Sequence, residues 1–337
     1  MKVLVTGGTG YIGSHTVVEL QQAGMEVVIV DNLSNSKKEV AGNIARITGK
    51  RPLLDIFDLC DRERVKSFFQ HHHDIQAIIH FAAFKSVYES VRYPVKYYRN
   101  NIDSTLNLLE GMLEYEIPYI VFSSSCTVYG QPDRLPVTED MPLKKAESPY
   151  GNTKKITEEM IRDVVELSAV KASILRYFNP IGAHESALIG EAPSGVPDNL
   201  VPYVTQSAIG LRDHLMVYGN DYDTPDGTPV RDYIHVTDLA KAHVAALERL
   251  TTGKYEQDFE VYNLGTGQGH TVLDVIHAFE RVSGMTLNFR FVERRPGDVE
   301  KVWADVSLAN QKLGWKAEKT LDEMMLSAWN WEKSRNK

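Results

Sequence analysis

The chain has 337 residues, of which 43% are hydrophobic and 24% charged, and a formal net charge of −8. This length allows one large or two moderate domains, and the acidic balance argues against a nucleic acid as partner. Cys60 and Cys126 lie far apart with no metal-ligand spacing, so we expect no disulfide framework, no bound metal and a reducing, cytoplasmic compartment. Glycines follow the N-terminus too soon for a signal peptide, and no apolar run predicts a membrane span.

The first 180 residues alternate short apolar runs with longer amphipathic stretches. The runs are apolar at nearly every position, which is typical of strands buried on both faces of a parallel sheet. This pattern predicts an α/β fold with a doubly wound parallel sheet. Its strands are expected at Val3–Thr6, Val27–Val30, Leu53–Phe57, Ala77–Phe81, Tyr119–Ser123 and Ala172–Arg176.

A glycine-rich turn joins the first predicted strand to the first helical pattern. Gly7, Gly10 and Gly13 allow backbone amides to approach a pyrophosphate at a helix N-terminus, as in Rossmann folds. The next strand ends in Asp31, whose carboxylate can accept the ribose hydroxyls and would repel a 2′-phosphate. A glycine-rich turn alone also occurs in ordinary buried βα units, but the complete pattern favours NAD over NADP.

A second pattern combines Tyr150 and Lys154 at the start of a predicted helix, where positions i and i+4 share a face. An ammonium and a cationic nicotinamide ring would both lower the pKa of the phenol, so Tyr150 is a candidate general base. The alternative is an exposed pair one turn apart. The serines Ser123 to Ser125 follow a predicted strand, where one hydroxyl can bind the reacting group.

Prolines and glycines become frequent between Asn179 and about Thr228, which indicates a loop-rich second lobe. We therefore expect an NAD-binding domain over residues 1–178. Residues 230–264 are expected to return to it, and residues 179–229 and 265–337 to form a smaller substrate-binding lobe.

The glycine turn, the serine run and Tyr-x-x-x-Lys together resemble the extended branch of the short-chain dehydrogenase/reductases. Within it, blocks along almost the whole chain are similar to the UDP-glucose 4-epimerase family. These blocks are Gly7–His15, Asp31–Ser36, Phe122–Gly130, Arg176–Pro180, Gly219–Tyr222 and Val230–Val236. The resemblance implies an NAD-dependent isomerase of galactose metabolism and a homodimer formed through helices of the first lobe.

The resemblance also implies roles for individual residues. Tyr150 would be the base, Lys154 its activator and Ser125 the group that positions the 4-hydroxyl. The NAD site would comprise Gly7, Gly10, Tyr11, Ile12, Gly13, Asp31, Asn32, Asn35, Ser36, Asp58, Leu59, Phe81, Ala82, Ala83, Lys85, Asn100, Ser123, Tyr150, Lys154 and Tyr177. The UDP-sugar would contact Lys85, Ser125, Tyr150, Asn179, Asn199, Leu200, Tyr218, Arg231, Arg295, Asp298 and Val302.

The chain departs from the family pattern at two places. Ala83, Phe84, Ser86 and Tyr88 stand where the family commonly has Gly, Leu, Ala and Gly, so the geometry of this loop near the nicotinamide is open. Val302 stands where some relatives have a tyrosine that narrows the sugar pocket. It predicts room for N-acetylated UDP-sugars, unless Val302 packs against its neighbours and Phe84 or Tyr88 fills the space.

The resemblance, together with these patterns, implies a UDP-hexose 4-epimerase that interconverts UDP-galactose and UDP-glucose through a transient 4-keto sugar. One alternative is a nucleotide-sugar 4,6-dehydratase, which needs an acid and a base directly after the assisting serine. Cys126 and Thr127 occupy those positions. A second alternative is a catalytically silent NAD-sensing protein, which usually lacks the tyrosine or the lysine.

Overall fold

The computed structural model describes residues 1–193, 195–295 and 298–336. Its strands are β1 Lys2–Thr6, β2 Glu26–Asp31, β3 Leu53–Ile56, β4 Ala77–His80, β5 Tyr119–Ser125, β6 Lys171–Tyr177, β7 Asn179–Ile181, β8 Leu215–Tyr218, β9 Val230–Arg231, β10 Tyr233–His235, β11 Phe259–Leu264, β12 His270–Thr271, β13 Phe289–Val292 and β14 Lys301–Val302. Its helices are α1 Tyr11–Gln22, α2 Glu39–Thr48, α3 Arg62–His71, α4 Val87–Arg92, α5 Pro94–Glu114, α6 Pro149–Glu166, α7 Leu200–Ala208, α8 Val236–Thr251, α9 Val272–Ser283, α10 Ser307–Leu313 and α11 Leu321–Arg335.

A seven-stranded parallel sheet in the order β11-β6-β5-β4-β1-β2-β3 forms the centre of the molecule. Its inner strands carry apolar side chains on both faces, and Val28 and Ile29 on β2 are fully buried. The predicted doubly wound sheet is therefore confirmed. Because the strand order reverses between β1 and β4, a crevice opens at the carboxyl ends of these two strands, where such sheets bind their ligands.

Helices cover both faces of the sheet. On one face the buried residues of α1 and α8 pack against β1, β2 and β6, and on the other face those of α3, α5 and α6 pack against β4 and β5. In the second layer α6 packs against β5, the strand that ends in the serine run. Every helix within the described part of the chain is too short or too polar to span a lipid bilayer.

A smaller lobe follows the sixth strand and contains short strand pairs. Strand β8 pairs with β13, β7 with β10, and β9 lies between β12 and β14. A separate core joins α7, α9 and α11, with Phe279 and Trp329 in edge-to-face contact at 5.4 Å between ring centroids. Strand β11 belongs to the large sheet, beside β6, whereas the exact domain boundaries drawn from the sequence remain a prediction.

Candidate active site

The glycine turn after β1 is shaped by close backbone contacts. Gly7 has a φ of +67°, and a side chain there would place its Cβ 2.9 Å from the amide nitrogen of Ala82. A Cβ on Gly13 would lie 2.2 Å from the carbonyl oxygen of Gly7. Since the N-cap residue of α1 is Gly10, no N-cap side chain occupies the first-turn amides, which are available to an anion such as a pyrophosphate.

Asp31 lies at the end of β2, beside the glycine turn, and is 7% exposed. Its carboxylate accepts hydrogen bonds from the amide of Thr9 at 3.1 Å, the amide of Leu33 at 2.9 Å and the hydroxyl of Ser36 at 3.2 Å. The structure thus fixes a negative charge at the edge of the crevice. Together with the uncapped helix, this arrangement fits the pyrophosphate and the ribose of NAD.

The serine strand and α6 bring the predicted catalytic residues together. The hydroxyl of Ser148 accepts a hydrogen bond from the amide of Gly151 at 3.1 Å, and Pro149 starts the helix, so Tyr150 lies in its first turn. Lys154 is buried one turn later and donates to the carbonyl oxygen of Ser123 at 2.6 Å. Its ammonium lies 4.7 Å from the ring centroid of Phe122.

Burial dominates the pKa values of Tyr150 and Lys154 in this cluster. Burial raises the pKa of Tyr150 to about 12, although hydrogen bonding to Ser125 opposes the rise. Burial also lowers the pKa of Lys154 to about 7, while Glu158 acts in the opposite direction. Desolvation therefore dominates at the phenol in the protein alone, and the lowering of its pKa by the lysine and a bound nicotinamide ring together stays a prediction.

The other predicted NAD residues follow the carboxyl ends of the strands or face them. Asn32 donates to the carboxylate of Asp58 at 3.2 Å, whereas the side chain of Leu59 packs in the core. The hydroxyls of Ser123 and Tyr177 form a short hydrogen bond. Phe81, Ala82, Ala83 and Lys85 follow β4, Tyr11 and Ile12 begin α1, Asn35 and Ser36 follow β2, and Asn100 lies on α5.

The predicted UDP side of the site contains stacked and paired arginines. The guanidinium of Arg295 lies 3.9 Å from the ring centroid of Tyr218, and it donates to the carbonyl oxygen of Asp198 at 3.2 Å. Arg231 lies 3.8 Å from a carboxylate oxygen of Asp298. These cations can meet phosphate oxygens. Asn179 lies on β7, and Asn199 directly precedes Leu200 at the start of α7.

The residues that depart from the family pattern differ in their burial and contacts. Phe84 lies against Tyr97 with 5.7 Å between ring centroids, and Tyr88 is 67% exposed. Ser86 caps α4 and also donates to the carboxylate of Asp198 at 2.7 Å. Val302 pairs with Arg231 across β9 and β14 and is 6% exposed within an apolar cluster.

Two polar residues that the sequence analysis did not single out connect the predicted site. Asn101 on α5 contacts the backbone of Phe84 and donates to the hydroxyl of Thr153 at 3.0 Å, beside Lys154. Glu191 accepts from Lys85 at 3.0 Å and from Asn199 at 2.7 Å, so it joins the two lobes. Neither belongs to a short motif, and only the fold brings their partners together.

The sheet, the glycine turn and the Ser, Tyr and Lys cluster define an extended short-chain dehydrogenase/reductase. A family model described as GDP-mannose 4,6 dehydratase matches residues 4–327. The UDP-glucose 4-epimerase of Bacillus subtilis (strain 168) is 51% identical over 337 residues, covering 99% of this chain and 97% of the relative. The chain belongs to the UDP-glucose 4-epimerase family, as the sequence resemblance predicted.

Solved structures give the same result. The UDP-glucose 4-epimerase of Stenotrophomonas maltophila, with bound NAD and formylated UDP-arabinopyranose, has a TM-score of 0.96 and 48% identity, covering 100% of this chain and 99% of its own. The enzyme of Bifidobacterium longum in complex with NAD⁺ and UDP has a TM-score of 0.95 and 46% identity, with the same coverage.

Proposed function

We propose that this chain is an NAD-dependent UDP-hexose 4-epimerase that interconverts UDP-galactose and UDP-glucose. The observation that carries the proposal is the cluster of Ser125, Tyr150 and Lys154 at the carboxyl edge of the sheet, next to the glycine turn. NAD, when bound, supplies a reversible hydride acceptor for C4 of the sugar. The residues of the chain must then move one proton and hold the sugar nucleotide.

Tyr150 is the residue proposed to take the proton from the 4-hydroxyl of the sugar and to return it. Its ionisation needs positive charge nearby, because burial raises the pKa of the phenol to about 12. Lys154 supplies one such charge from a fixed position, since its ammonium is held by the carbonyl of Ser123. Ser125 contributes a hydroxyl beside Tyr150 that positions the reacting oxygen.

The predicted UDP residues suit an enzyme in which the 4-keto sugar must rotate between two hydride transfers. Arg231 and Arg295 supply charge for the diphosphate, and Tyr218 fixes one guanidinium by stacking. A firm hold on the UDP and few contacts to the hexose allow the 4-keto sugar to present either face. This division of contacts supports epimerisation.

The dehydratase alternative lacks its acid and base. Burial raises the pKa of the Cys126 thiol to about 12, so it remains a protonated thiol at neutral pH. The hydroxyl of Thr127 donates to Ser125 at 3.1 Å and carries no charge. A silent NAD-binding protein is disfavoured because Tyr150 and Lys154 both occupy their places on one helix.

The function is tested by giving purified protein UDP-galactose and UDP-glucose in separate reactions. We expect each sugar nucleotide to be converted into the other without net consumption of NAD. Fluorescence of reduced nicotinamide should appear transiently or partially on adding either substrate. Removal of water to give a 4-keto-6-deoxy sugar would support the dehydratase alternative, and absence of any turnover would contradict the proposal.

The range of accepted sugars is a separate prediction that depends on Val302. If its small side chain leaves room for a 2-acetamido group, the wild type also converts UDP-N-acetylgalactosamine, and Val302→Tyr abolishes that activity while sparing UDP-galactose. Exclusion by overlap is the means by which a pocket rejects the larger substrate. The burial of Val302 among apolar side chains favours the alternative, in which it packs.

The two interpretations of Val302 give different results in one assay. Val302→Ala serves as the matched control, because it shortens the same side chain without adding a ring. Conversion of UDP-galactose without any conversion of millimolar UDP-N-acetylgalactosamine by the wild type would rule out the open pocket. Loss of both activities in Val302→Tyr, with both retained in Val302→Ala, would instead indicate a packing role.

We also propose a homodimer that uses the outer face of α4 and α5. This face exposes large apolar side chains that a monomer would leave in water. They are Val87, Tyr88, Val91, Val95, Leu106 and Leu113, each between 45% and 71% exposed. Sedimentation equilibrium should give twice the chain mass of 38.0 kDa, and Val95→Glu should lower that mass towards one chain. A monomeric wild type would contradict the proposal.

We also propose that the protein works in a reducing, cytoplasmic compartment. Cys60 and Cys126 are both free. Burial raises the pKa of each thiol to about 12, which keeps both in the unreactive protonated form at neutral pH.

A further inference from the structure

A buried ion pair lies directly behind the predicted catalytic helix. Glu158 follows Lys154 by one turn of α6 and is 3% exposed. Arg176 on β6 donates to both carboxylate oxygens, at 3.0 Å and 2.6 Å, and the hydroxyl of Ser124 donates to the same group. One carboxylate therefore fastens α6 to two neighbouring strands.

Each partner of Glu158 is adjacent in sequence to a residue of the proposed site. Ser124 stands between Ser123, whose carbonyl holds Lys154, and Ser125. Arg176 directly precedes Tyr177, whose hydroxyl bonds to Ser123. Glu158 is therefore linked through both strands to the groups around Lys154.

Stability alone is a weak reason for this ion pair. Buried charge pairs often give no more stability than apolar side chains of similar volume, because desolvation offsets their attraction. Both carboxylate oxygens of Glu158 accept hydrogen bonds, and Arg176 also donates to the hydroxyl of Tyr129 at 3.0 Å. Such an arrangement fixes positions and charges.

Glu158 is also the acidic group, four residues along α6, that acts electrostatically on Lys154. Glu89 and Lys96 on the neighbouring α4 and α5 pair with each other at 2.7 Å, and Asn101 of α5 faces α6 with an uncharged amide. Burial lowers the pKa of Lys154, and Glu158 counteracts this. His80 on β4 also interacts electrostatically with Lys154, and further titratable groups on the neighbouring elements are Tyr150 on α6, Arg176 and Tyr177 on β6 and Cys126 after β5.

We propose that Glu158, held by Arg176 and Ser124, is a positioning residue that sets the place and the charge of Lys154 behind Tyr150. This inference rests on the proposed epimerase function. It assigns Glu158 no contact with substrate or NAD.

The test replaces Glu158 by glutamine, which keeps the shape of the side chain and removes its charge. We expect kcat for UDP-galactose at pH 8 to fall about tenfold with little change in KM. The alkaline limb of the kcat against pH profile should move about one unit lower, since losing a neighbouring opposite charge shifts a pKa by this order. Lys154 then loses its proton at a lower pH.

The chain offers a matched control in a second buried ion pair. Arg249 donates to both oxygens of Glu260 at 2.8 Å and 2.9 Å, with side chains 8% and 9% exposed. Glu260 lies near the amino end of β11, away from the carboxyl edge that holds the site. Glu260→Gln should lower the melting temperature by an amount similar to Glu158→Gln, yet leave the pH profile of kcat unchanged.

The outcomes separate the two proposals. A wild-type kcat and pH profile in Glu158→Gln, or an equal shift in Glu260→Gln, would overturn the positioning role while leaving the epimerase function intact. A wild type without epimerase activity would overturn both. If Glu158→Gln does not fold, Ser124→Ala keeps the ion pair and should lower kcat several-fold, and a wild-type kcat in that variant would overturn the inference.

Discussion

Replacing Tyr150 by phenylalanine should lower kcat for UDP-galactose by about 10²–10⁴, the usual contribution of a positioned acid or base. The ring keeps its place in the first turn of α6, because Ser148 and Pro149 fix the start of the helix. Only the hydroxyl that carries the proton is lost. NAD content, measured by the absorbance of the denatured enzyme, should equal that of the wild type.

Tyr98→Phe is the matched control for this experiment. The hydroxyl of Tyr98 on α5 accepts a hydrogen bond from Asn152 of α6 at 2.8 Å, so the variant also removes one phenolic hydroxyl beside the same helix. We expect its kcat to stay within about threefold of the wild type, since a neutral hydrogen bond contributes about 1 kcal/mol to stability and does not touch the substrate. A Tyr150→Phe enzyme with a tenth or more of wild-type kcat would exclude Tyr150 as the base.

Replacing Asp31 by alanine should change the ratio of NAD to NADP affinity by about 10- to 100-fold in favour of NADP. This factor is the free energy of about one or two pKa units, the size of the effect that one neighbouring charge has on another. The wild-type carboxylate is fixed by Thr9, Leu33 and Ser36 at the end of β2. It therefore cannot turn away from a 2′-phosphate. Dissociation constants of both dinucleotides on protein freed of cofactor give the ratio.

Two further variants separate charge from loop structure. Asp31→Asn keeps an acceptor oxygen for the amides but removes the charge, so it should shift the ratio nearly as far as alanine with a smaller loss of NAD affinity. Asp55→Asn removes an acidic group on β3 that pairs with His72 and lies in register with Val30 rather than with Asp31, and it should leave the ratio unchanged. An unaltered ratio in both Asp31 variants would refute the role of Asp31 in choosing NAD.

The large sheet could be predicted because its strands carry their own signal. Val27–Val30 and Ala77–Phe81 are apolar at nearly every position, and only a strand covered on both faces explains that run. The short strands of the second lobe carry no such pattern. Strand β14 consists of Lys301 and Val302, and it exists because β9 lies beside it in the folded chain. Pairing of this kind is not encoded within the segment itself.

Helix α6 shows that the proposed site, too, could be predicted from the sequence only in part. Tyr150 and Lys154 follow from helical spacing, whereas Glu191 pairs with Lys85 and Asn101 bonds to Thr153, partners that are distant in sequence. The pKa of Tyr150 shows this limit, because burial raises it to about 12 in the protein without its cofactor. Charges can be read from the sequence, but the desolvation that dominates this pKa depends on how completely the fold encloses the phenol.

Strand β11 joins the large sheet late during synthesis of the chain. It pairs with β6, yet residues 178–258 separate the two strands in the chain. At roughly 5–20 residues per second, a ribosome takes several seconds to make that interval. Throughout it, the outer edge of β6 lacks its final neighbour, and an open strand edge is a template for pairing with another chain. On a polysome, where many nascent copies grow side by side, this interval is when chaperone protection of the first lobe matters most.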